Sequence, residues 1–420
     1  MRLSDGGPLW VRRTAPSSST VAHVNPMPRP LGRLVAGTAA LTVLTLLAGC
    51  TGGAPTSPST ATSNGPSSGS ATGTTTPASS GIEGAPAELA ALVQRVYAGE
   101  PIGDGASKSA GAALAQRRPA NVPVQGKAST GTWKGAPVAV VTVGDDVTLA
   151  VASGAKWRVV GGWWPSLGVK QPSLGSGPRW VLALGSDARP GQQLDRTRAD
   201  TIQVVGTDGK GGAGVMGMAR DLWVPLSTGG KGKINSAMAL GGAPAQLKTV
   251  RSVTGLPIEG YVVIGFSGFK KVVDEQGGIP IVIPKTVNAS HAKLVIKKGP
   301  QTLTGAQALA YARERKTLPD GDFGRSRHQG ELMLAAAVKA KLAGPGAIPG
   351  AMTTVSKYAR TDLDAERMLT FVARFYRTDP TKAGRGVAQG AFGWASGQSI
   401  VVLGSQARGL FADFKDGNLS

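Results

Sequence analysis

Aspartate and arginine side chains cluster at five places between residues 187 and 325 of this 420-residue chain. The clusters are Asp187 with Arg189, Arg198 with Asp200, Arg220 with Asp221, Arg313 with Arg315, and Asp320 and Asp322 with Arg325. A guanidinium group matches two phosphate oxygens at once and stays protonated, whereas carboxylates hold a hard cation such as Mg2+. Three histidines and one cysteine argue against His-rich zinc sites, Cys-His catalysis and iron-sulfur chemistry. The residue types therefore indicate a site for a pyrophosphate and its divalent cation.

The first 50 residues have the pattern of an export signal. Arg29 and Arg33 precede an apolar run at 34–48 that is too short to span a membrane comfortably. The run ends in Leu-Ala-Gly-Cys, which resembles a bacterial lipobox, and its Cys50 is the only cysteine of the chain. Met27 would begin a signal of ordinary length and is an alternative start. We expect a lipid-anchored protein on the outer face of the cytoplasmic membrane.

The composition changes sharply after the signal. Residues 51–85 are predicted to form a flexible tether, because Ser, Thr, Gly, Pro and Ala bury too little apolar surface to fold. Beyond it we predict an accessory domain at 86–178, a core at 179–343 and a C-terminal extension at 344–420 packed on that core. The net charge of +21 suits anionic lipid headgroups, pyrophosphate or acidic wall polymers in an exported chain, with no nucleic acid. The alternative is that the basic surface serves solubility alone.

Hydrophobic periodicity predicts the elements that carry the clusters. Apolar runs typical of buried strands occur at 180–184, 202–205, 215–218, 261–266 and 279–283, with a last strand at 400–403. Helices are predicted at 244–254, from the capping box of Thr304 and Gln307 toward Tyr311, at 334–342 and at 368–375. The accessory block has a helix at 89–96 and a hairpin of strands at 138–143 and 147–151. Its tryptophans, Trp157, Trp163 and Trp164, are predicted to pack in a core or between domains, with carbohydrate stacking as the alternative.

The spacing of the clusters places them relative to these elements. Asp187 follows the strand that ends at Gly185, and Arg220 follows the strand that ends at Met218. Open α/β sheets bind ligands at such strand ends. Arg313 and Arg315 are two residues apart, so both can reach one ligand only if the helix unwinds near Arg313.

Taken together, the motifs resemble the LytR-CpsA-Psr family. Those that carry the resemblance are GSDAR, RADT, ARDLWV, KIN, ALAYARER and DGDFGR with Gln329, in this order between residues 179 and 342. The resemblance implies a three-layer α-β-α domain with a largely buried mixed sheet, preceded here by a small α+β accessory domain. It departs from the family's pattern at His328, where Arg is usual, and at Gly330, where a second Gln is frequent. A lipobox also replaces the common N-terminal transmembrane helix.

The resemblance implies an enzyme of the cell envelope. Such proteins hold a polyprenyl-pyrophosphate glycan lipid and transfer its glycopolymer to peptidoglycan. Carried onto this chain, the resemblance implies Mg2+ (or Mn2+) at Asp187 and Asp200, pyrophosphate contacts from Arg220, Arg313, Arg315, Arg325, Gln329 and Lys233, and Asp322 orienting an arginine or assisting the acceptor hydroxyl. For each arginine, and above all for Arg189 and Arg198, the alternative is a surface ion pair with no part in phosphate binding. One alternative is a non-catalytic polyprenyl-pyrophosphate binding protein or scaffold. Another is the transcriptional attenuation of older family naming, but the export signal, the tether and the lack of a helix-turn-helix pattern argue against it.

The lipid tail needs an apolar wall. The expected residues are Val262, Ile264, Phe266 and Phe269, with Val272, Val273, Met238 and Leu240. Most of them fit an ordinary core position better, and periodicity does not separate a pocket wall from a core face.

Overall fold

Helices and strands alternate along the computed structural model, which describes residues 81–120 and 124–419. The helices are α1 (Ala87–Ala98), α2 (Lys108–Leu114), α3 (Ser236–Thr254), α4 (Phe266–Glu275), α5 (Gly305–Arg313), α6 (Asp322–Leu342), α7 (Ile348–Tyr358), α8 (Ala365–Arg377) and α9 (Ser405–Asp413). The first ten strands are β1 (Ile82–Glu83), β2 (Gly126–Trp133), β3 (Ala136–Val143), β4 (Asp146–Ser153), β5 (Lys156–Trp163), β6 (Arg179–Ser186), β7 (Ala199–Thr207), β8 (Ala213–Met218), β9 (Trp223–Pro225) and β10 (Lys231–Lys233). The others are β11 (Gly260–Gly265), β12 (Ile279–Ile283), β13 (Val287–Ala289), β14 (Leu294–Ile296), β15 (Gly299–Leu303), β16 (Ala359–Thr361), β17 (Gly384–Ala388), β18 (Gly390–Ala395) and β19 (Gln398–Leu403).

A six-stranded mixed sheet forms the centre, in the order β16-β11-β6-β7-β8-β17. Strand β7 runs antiparallel to both neighbours, whereas β11 is parallel to β6 and β17 is parallel to β8. Successive residues point to opposite faces, so Leu182 packs in the core with α3 and α9 while Val181 packs in the core with α6, α7 and α8. The predicted three-layer α-β-α fold with a largely buried sheet is confirmed. Both edge strands, β16 and β17, come from the predicted C-terminal extension.

A second, five-stranded sheet in the order β1-β2-β3-β4-β5 occupies the predicted accessory block. One face carries Ala139 and Val141 against α1 and α2, and the other carries Val138 and Val140 against α7 and α8. Trp164 is fully buried, and the ring of Trp163 stacks on that of Tyr376 in α8 at 6.3 Å. The tryptophans Trp163 and Trp164 are thus packing residues, and the second sheet shares a core with the C-terminal helices.

The buried indole of Trp133 joins the second sheet to the segment between β16 and α8. Its Nε1 donates a hydrogen bond of 2.9 Å to the Leu363 carbonyl, and only 2% of the residue is exposed. Replacing Trp133 with phenylalanine keeps an aromatic ring but removes the indole N–H, so that carbonyl stays buried without its donor. We expect a loss of about 1–3 kcal/mol in the free energy of unfolding, measured by chemical denaturation. An unchanged free energy would show that the link contributes no stability.

Two predictions about elements are wrong. The strand at 279–283 exists, but β12 pairs with β15 outside the central sheet, and Val282 is 68% exposed. The tether does not extend to residue 85, because β1 pairs with β2 in parallel and Ile82 is buried. Cys50 and the rest of the predicted signal lie outside the described residues. Among residues 81–120 and 124–419, no helix has the length and apolar character of a membrane span.

Candidate active site

Three of the predicted site residues lie along one edge of the central sheet. Asp187 follows β6, Asp200 is the second residue of β7, and Arg220 lies two residues beyond β8. Because β7 runs opposite to β6 and β8, its beginning meets their ends at the same edge. The prediction that Asp187 and Arg220 lie at strand ends is confirmed.

Asp200 is carried on a β-bulge. Gly185 lies opposite Thr201 and Ser186 lies opposite Ala199, so Asp200 is the extra residue on β7. A bulge re-aims the side chain it carries and is frequent beside active sites. The strands approach so closely here that a Cβ atom on Gly185 would lie 2.6 Å from the Cβ of Thr201. The local backbone thus turns the Asp200 carboxylate toward Arg220.

Arg220 lies among three carboxylates. Its Nη1 is 2.8 and 2.9 Å from the two oxygens of Asp200, and its Nε is 3.8 Å from Asp221 and 3.9 Å from Asp322. Burial alone lowers the pKa of this guanidinium, but the three negative charges raise it above its ordinary value. The guanidinium of Arg220 therefore stays positively charged in the site.

Asp322 joins Arg220 to the start of α6. Its Oδ2 accepts a 3.2 Å hydrogen bond from the Arg220 backbone N–H, and its Oδ1 lies 2.6 Å from Nη2 of Arg325. Both side chains are 7% exposed. Burial, and to a lesser degree the positive Arg220, lowers the pKa of Arg325, while Asp322 raises it. Asp322 thus contacts the backbone of Arg220 and the guanidinium of Arg325, and both of its predicted roles stay predictions.

Helix α5 delivers Arg313 to the same edge. The predicted capping box of Thr304 and Gln307 is present, and the helix ends at Arg313. The guanidinium of Arg313 lies 4.4 Å above the ring of Phe266, the first residue of α4. Burial is the main cause that lowers its pKa; Asp200 raises it, and the nearby Arg220 lowers it further. The prediction that the helix unwinds at this point is confirmed, because Glu314 has an extended backbone (φ −68°, ψ 131°).

The sequence analysis assigned no role to Glu314, which lies between Arg313 and Arg315. It is 1% exposed and accepts hydrogen bonds from the backbone N–H groups of Arg315, Thr317 and Ser290, at 2.9, 3.0 and 3.2 Å. Its Oε2 is also 3.3 Å from Nδ1 of His291. In an extended segment, neighbours point away from each other, so burial of Glu314 directs its two flanking arginines to the opposite side. The signal in the sequence that could have indicated this arrangement was the alternation of Arg, Glu and Arg at the end of a helix.

The other predicted contacts are more peripheral. Arg315 is exposed. The Nζ atom of Lys233 lies 2.9 Å from Oδ1 of Asp221, with which it forms an ion pair. Gln329 is buried and donates to the Ala312 carbonyl at 3.0 Å, which supports the end of α5. Arg189 and Arg198 are exposed on the loop after β6.

Asp187 and Asp200 fit a cation that arrives with phosphate. One Asp187 oxygen accepts a 3.1 Å hydrogen bond from the Arg198 backbone, and both Asp200 oxygens face Arg220. No group of three or more His, Cys, Asp or Glu side chains suited to a metal exists in the part of the chain that the structure describes. Mg2+ is commonly held by one or two carboxylates together with substrate phosphates and water, so two aspartates suffice. The ion itself stays a prediction.

The predicted tail-contacting residues have mixed surroundings. Val262 packs against the core beneath α8, and Phe269 packs beside α5. The ring of Phe266 contacts the guanidinium of Arg313. Met238 is fully buried in the central core, whereas Leu240 is 62% exposed. Two surface cavities, of about 400 and 250 Å³, are lined by other residues. The lipid-tail pocket therefore stays a prediction.

Comparison with known proteins identifies relatives of the domain that contains the candidate site. The model of the LytR_cpsA_psr family matches residues 165–400. A teichoic acid transferase named TagU from Bacillus mycoides is 34% identical over 198 residues, which are 46% of this chain and 63% of that protein. The regulatory protein MsrR of Staphylococcus aureus is 38% identical over 165 residues, 39% of this chain and 49% of MsrR. The matches thus span about half to just under two thirds of these relatives.

Solved structures share the fold. The crystal structure of TagV from Bacillus subtilis is 26% identical, with a TM-score of 0.50, and the match covers 59% of this chain and 99% of TagV. A structure described as TagT bound to LI-WTA matches with a TM-score of 0.50 at 24% identity, over 60% of this chain and 94% of TagT.

Proposed function

The chain belongs to the LytR-CpsA-Psr family, and on that premise we propose that it transfers a glycopolymer from a polyprenyl-pyrophosphate lipid to peptidoglycan. The TagU relative is named as a polyisoprenyl-teichoic acid–peptidoglycan teichoic acid transferase, which supports this class of reaction. One observation on the chain itself carries the proposal. The Nε atoms of Arg220 and Arg325 are buried without a hydrogen-bond acceptor among the described residues, at the sheet edge that also holds Asp200. Unpaired guanidinium donors of this kind suit phosphate oxygens.

The transfer is a phosphoryl substitution that needs little covalent help from the protein. An acceptor hydroxyl oxygen bonds to the phosphorus that carries the glycopolymer, and the bond from that phosphorus to the bridging oxygen breaks. Polyprenyl monophosphate leaves with the bridging oxygen, and the hydroxyl proton passes to a carboxylate or to water. Such reactions depend on positioning and on neutralisation of charge at the phosphate oxygens. Arg220, Arg313 and Arg325 supply that charge.

The site's own acids have separate tasks in this scheme. Asp322 holds Arg220 and Arg325 in place through its two oxygens. Asp187 and Asp200 would hold Mg2+ (or Mn2+), which when bound neutralises charge on the pyrophosphate. For Asp200 this means sharing its oxygens between the cation and Arg220. The lipid anchor at Cys50 would keep the site on the outer face of the cytoplasmic membrane.

A reconstituted reaction tests the proposal. The full chain is incubated with a polyprenyl-pyrophosphate oligosaccharide, peptidoglycan fragments and Mg2+, and release of polyprenyl monophosphate is measured. We expect release that depends on the fragments. Binding of the lipid without release would support the alternative of a non-catalytic polyprenyl-pyrophosphate binding protein or scaffold.

Replacing Asp187 with asparagine tests the metal role. The amide keeps an oxygen for the Arg198 backbone but loses the negative charge, so the Mg2+ concentration at half-maximal rate should rise roughly tenfold or more. Direct titration with Mn2+ in the presence of pyrophosphate should show the same shift. The matched control is Asp145→Asn in the exposed turn between β3 and β4, which should change neither quantity. Equal metal dependence in Asp187→Asn and the natural protein would remove this residue from the metal site.

A further inference from the structure

Two aromatic side chains are exposed on the hairpin of β18 and β19. Phe392 is 68% exposed and Trp394 is 73% exposed. Several large apolar side chains are exposed in residues 81–120 and 124–419, and of these only Phe392 and Trp394 are aromatic. Large aromatic surfaces stabilise a fold when buried, so their exposure side by side indicates a surface that contacts something else.

This hairpin is attached directly to the candidate site. The backbone N–H of Val401 donates to the Asp221 carbonyl at 2.9 Å, next to Arg220. The ring of Phe392 lies 5.7 Å from that of Phe323, which follows Asp322 in the sequence. The aromatic surface is therefore continuous with both segments that carry the arginine and aspartate cluster.

Phe392 and Trp394 point to the same side of β18, because they are two residues apart in a strand. Their rings are thus spaced by about 7 Å along the strand. Ser399 lies opposite Trp394 in the hairpin, and residues 390–403 contain no charged side chain. An uncharged surface of aromatic faces beside hydroxyl groups suits sugar rings, which have apolar C–H faces and hydroxyl edges.

The order of the strands in the central sheet indicates that the acceptor sugar, and not the lipid donor, approaches Phe392 and Trp394. Phe266 and Phe269, two of the predicted tail-contacting residues, lie in α4 directly after β11, whereas the hairpin follows β17, and four strand spacings, about 19 Å, separate β11 from β17 in the sheet. The pyrophosphate site at β6 to β8 lies between them. In phosphoryl transfer the attacking and leaving oxygens are roughly in line. If polyprenyl phosphate leaves toward β11, the acceptor hydroxyl must approach from the side of β17.

We propose that Phe392 and Trp394 form a stacking platform for pyranose rings of the acceptor peptidoglycan strand. This assignment rests on the proposed function and specifies its acceptor side. The platform holds the acceptor beside Asp322 and Arg325 and contributes nothing to lipid binding.

The test compares three variants of the full chain with soluble peptidoglycan oligosaccharides as acceptor. In Phe392→Ala/Trp394→Ala, the acceptor KM and the oligosaccharide Kd should both rise by roughly tenfold or more, because two stacking contacts are lost. Affinity for the polyprenyl-pyrophosphate donor should stay unchanged, and the melting temperature should fall only slightly, through loss of the contact between Phe392 and Phe323. Trp394→Phe should restore most of the Trp394 contribution, since it retains a ring. Val402→Ala is the matched control, because Val402 is 48% exposed on the same hairpin but pairs with Ala391 and so points to the other face.

Direct binding separates this inference from the proposed function. If the natural chain binds the oligosaccharide through these rings but transfers nothing, the platform stands and the transferase proposal fails. An unchanged oligosaccharide Kd in the double variant overturns the platform. Loss of binding to phosphatidylglycerol vesicles, with the oligosaccharide Kd unchanged, would assign the hairpin to the membrane surface instead.

Discussion

Replacing Arg220 with alanine is expected to lower the rate of transfer by roughly 100- to 1000-fold, the cost of removing one donor aimed at a developing charge. The guanidinium joins Asp200, Asp221 and Asp322, and its Nε has no hydrogen-bond acceptor among the described residues. It is the side chain through which the acidic cluster and the phosphate oxygens would meet. The measurement is release of polyprenyl monophosphate at saturating donor and acceptor.

The fold should survive this change. Asp200 and Asp221 are 19% and 23% exposed, so water can solvate both carboxylates once Arg220 is removed, and the buried Asp322 keeps Arg325 as its partner. A thermal melt is therefore expected to show a cooperative transition with a modestly lower midpoint. Arg220→Lys retains the charge without the planar fork and should recover only part of the activity.

The matched control is Arg327→Ala. Arg327 lies on the same helix as Arg325, is 45% exposed and pairs only with Asp320 among the described residues. Its removal should change the rate little, because an exposed ion pair contributes at most about 1 kcal/mol. Activity of Arg220→Ala equal to that of the natural protein would exclude Arg220 from the phosphate site. Collapse of the variant in the melt would make it a structural residue.

Much of the fold was predictable because its elements obey local rules. The capping box at Thr304 set the start of α5, and Gly255 follows the end of α3 in a left-handed conformation. Helix α4 was not predicted, although Phe266, Phe269 and Val273 have helical spacing. Strand β12 was misplaced because an apolar run does not reveal which sheet it joins.

The candidate site was predictable only in outline. Strand ends placed Asp187 and Arg220 correctly, since their sequence position relative to apolar runs determines the edge at which they lie. The bulge at Asp200 depends on the register between two strands, which no local pattern encodes. Burial of a charged residue is equally non-local. Glu314 reads as a surface acid in the sequence, yet it is enclosed by segments about 24 residues apart.

Replacing Glu314 with alanine is expected to lower both stability and transfer. Three backbone N–H groups and the His291 ring lose their acceptor, which should cost about 3 kcal/mol in the free energy of unfolding. The segment after Arg313 would then no longer be held against residue 290, and both flanking arginines would lose their fixed direction. A displacement of about 1 Å at a phosphate-binding group can reduce the rate roughly a hundredfold. Chemical denaturation and the transfer assay measure the two effects.

The contribution of Glu314 depends on pH in a defined direction. Burial alone raises the pKa of this carboxyl, but the backbone N–H groups and His291 lower it below its ordinary value of about 4.5. A carboxyl with a depressed folded-state pKa stabilises the protein above its unfolded-state pKa, and this stabilisation is lost as pH falls through the folded-state value. The free energy of unfolding of the natural protein should therefore fall below about pH 4.5 more steeply than that of Glu314→Gln. The glutamine retains an acceptor for Arg315 and Thr317 and should keep part of the activity.

Asp146→Ala is the control that separates an effect of Glu314 on the direction of the arginines from a loss of protein stability alone. Asp146 is another fully buried carboxylate; it accepts hydrogen bonds from Tyr97 and from the Ser166 backbone, at 2.8 and 3.0 Å, in the second sheet. Its loss should destabilise the protein by a similar amount while leaving kcat unchanged at a temperature where the variant is folded. If Glu314→Ala also retained full kcat under that condition, the carboxylate would serve the fold alone. A lower kcat in Glu314→Ala only, with partial recovery in Glu314→Gln, is the result expected if buried Glu314 aims the arginines at the phosphates.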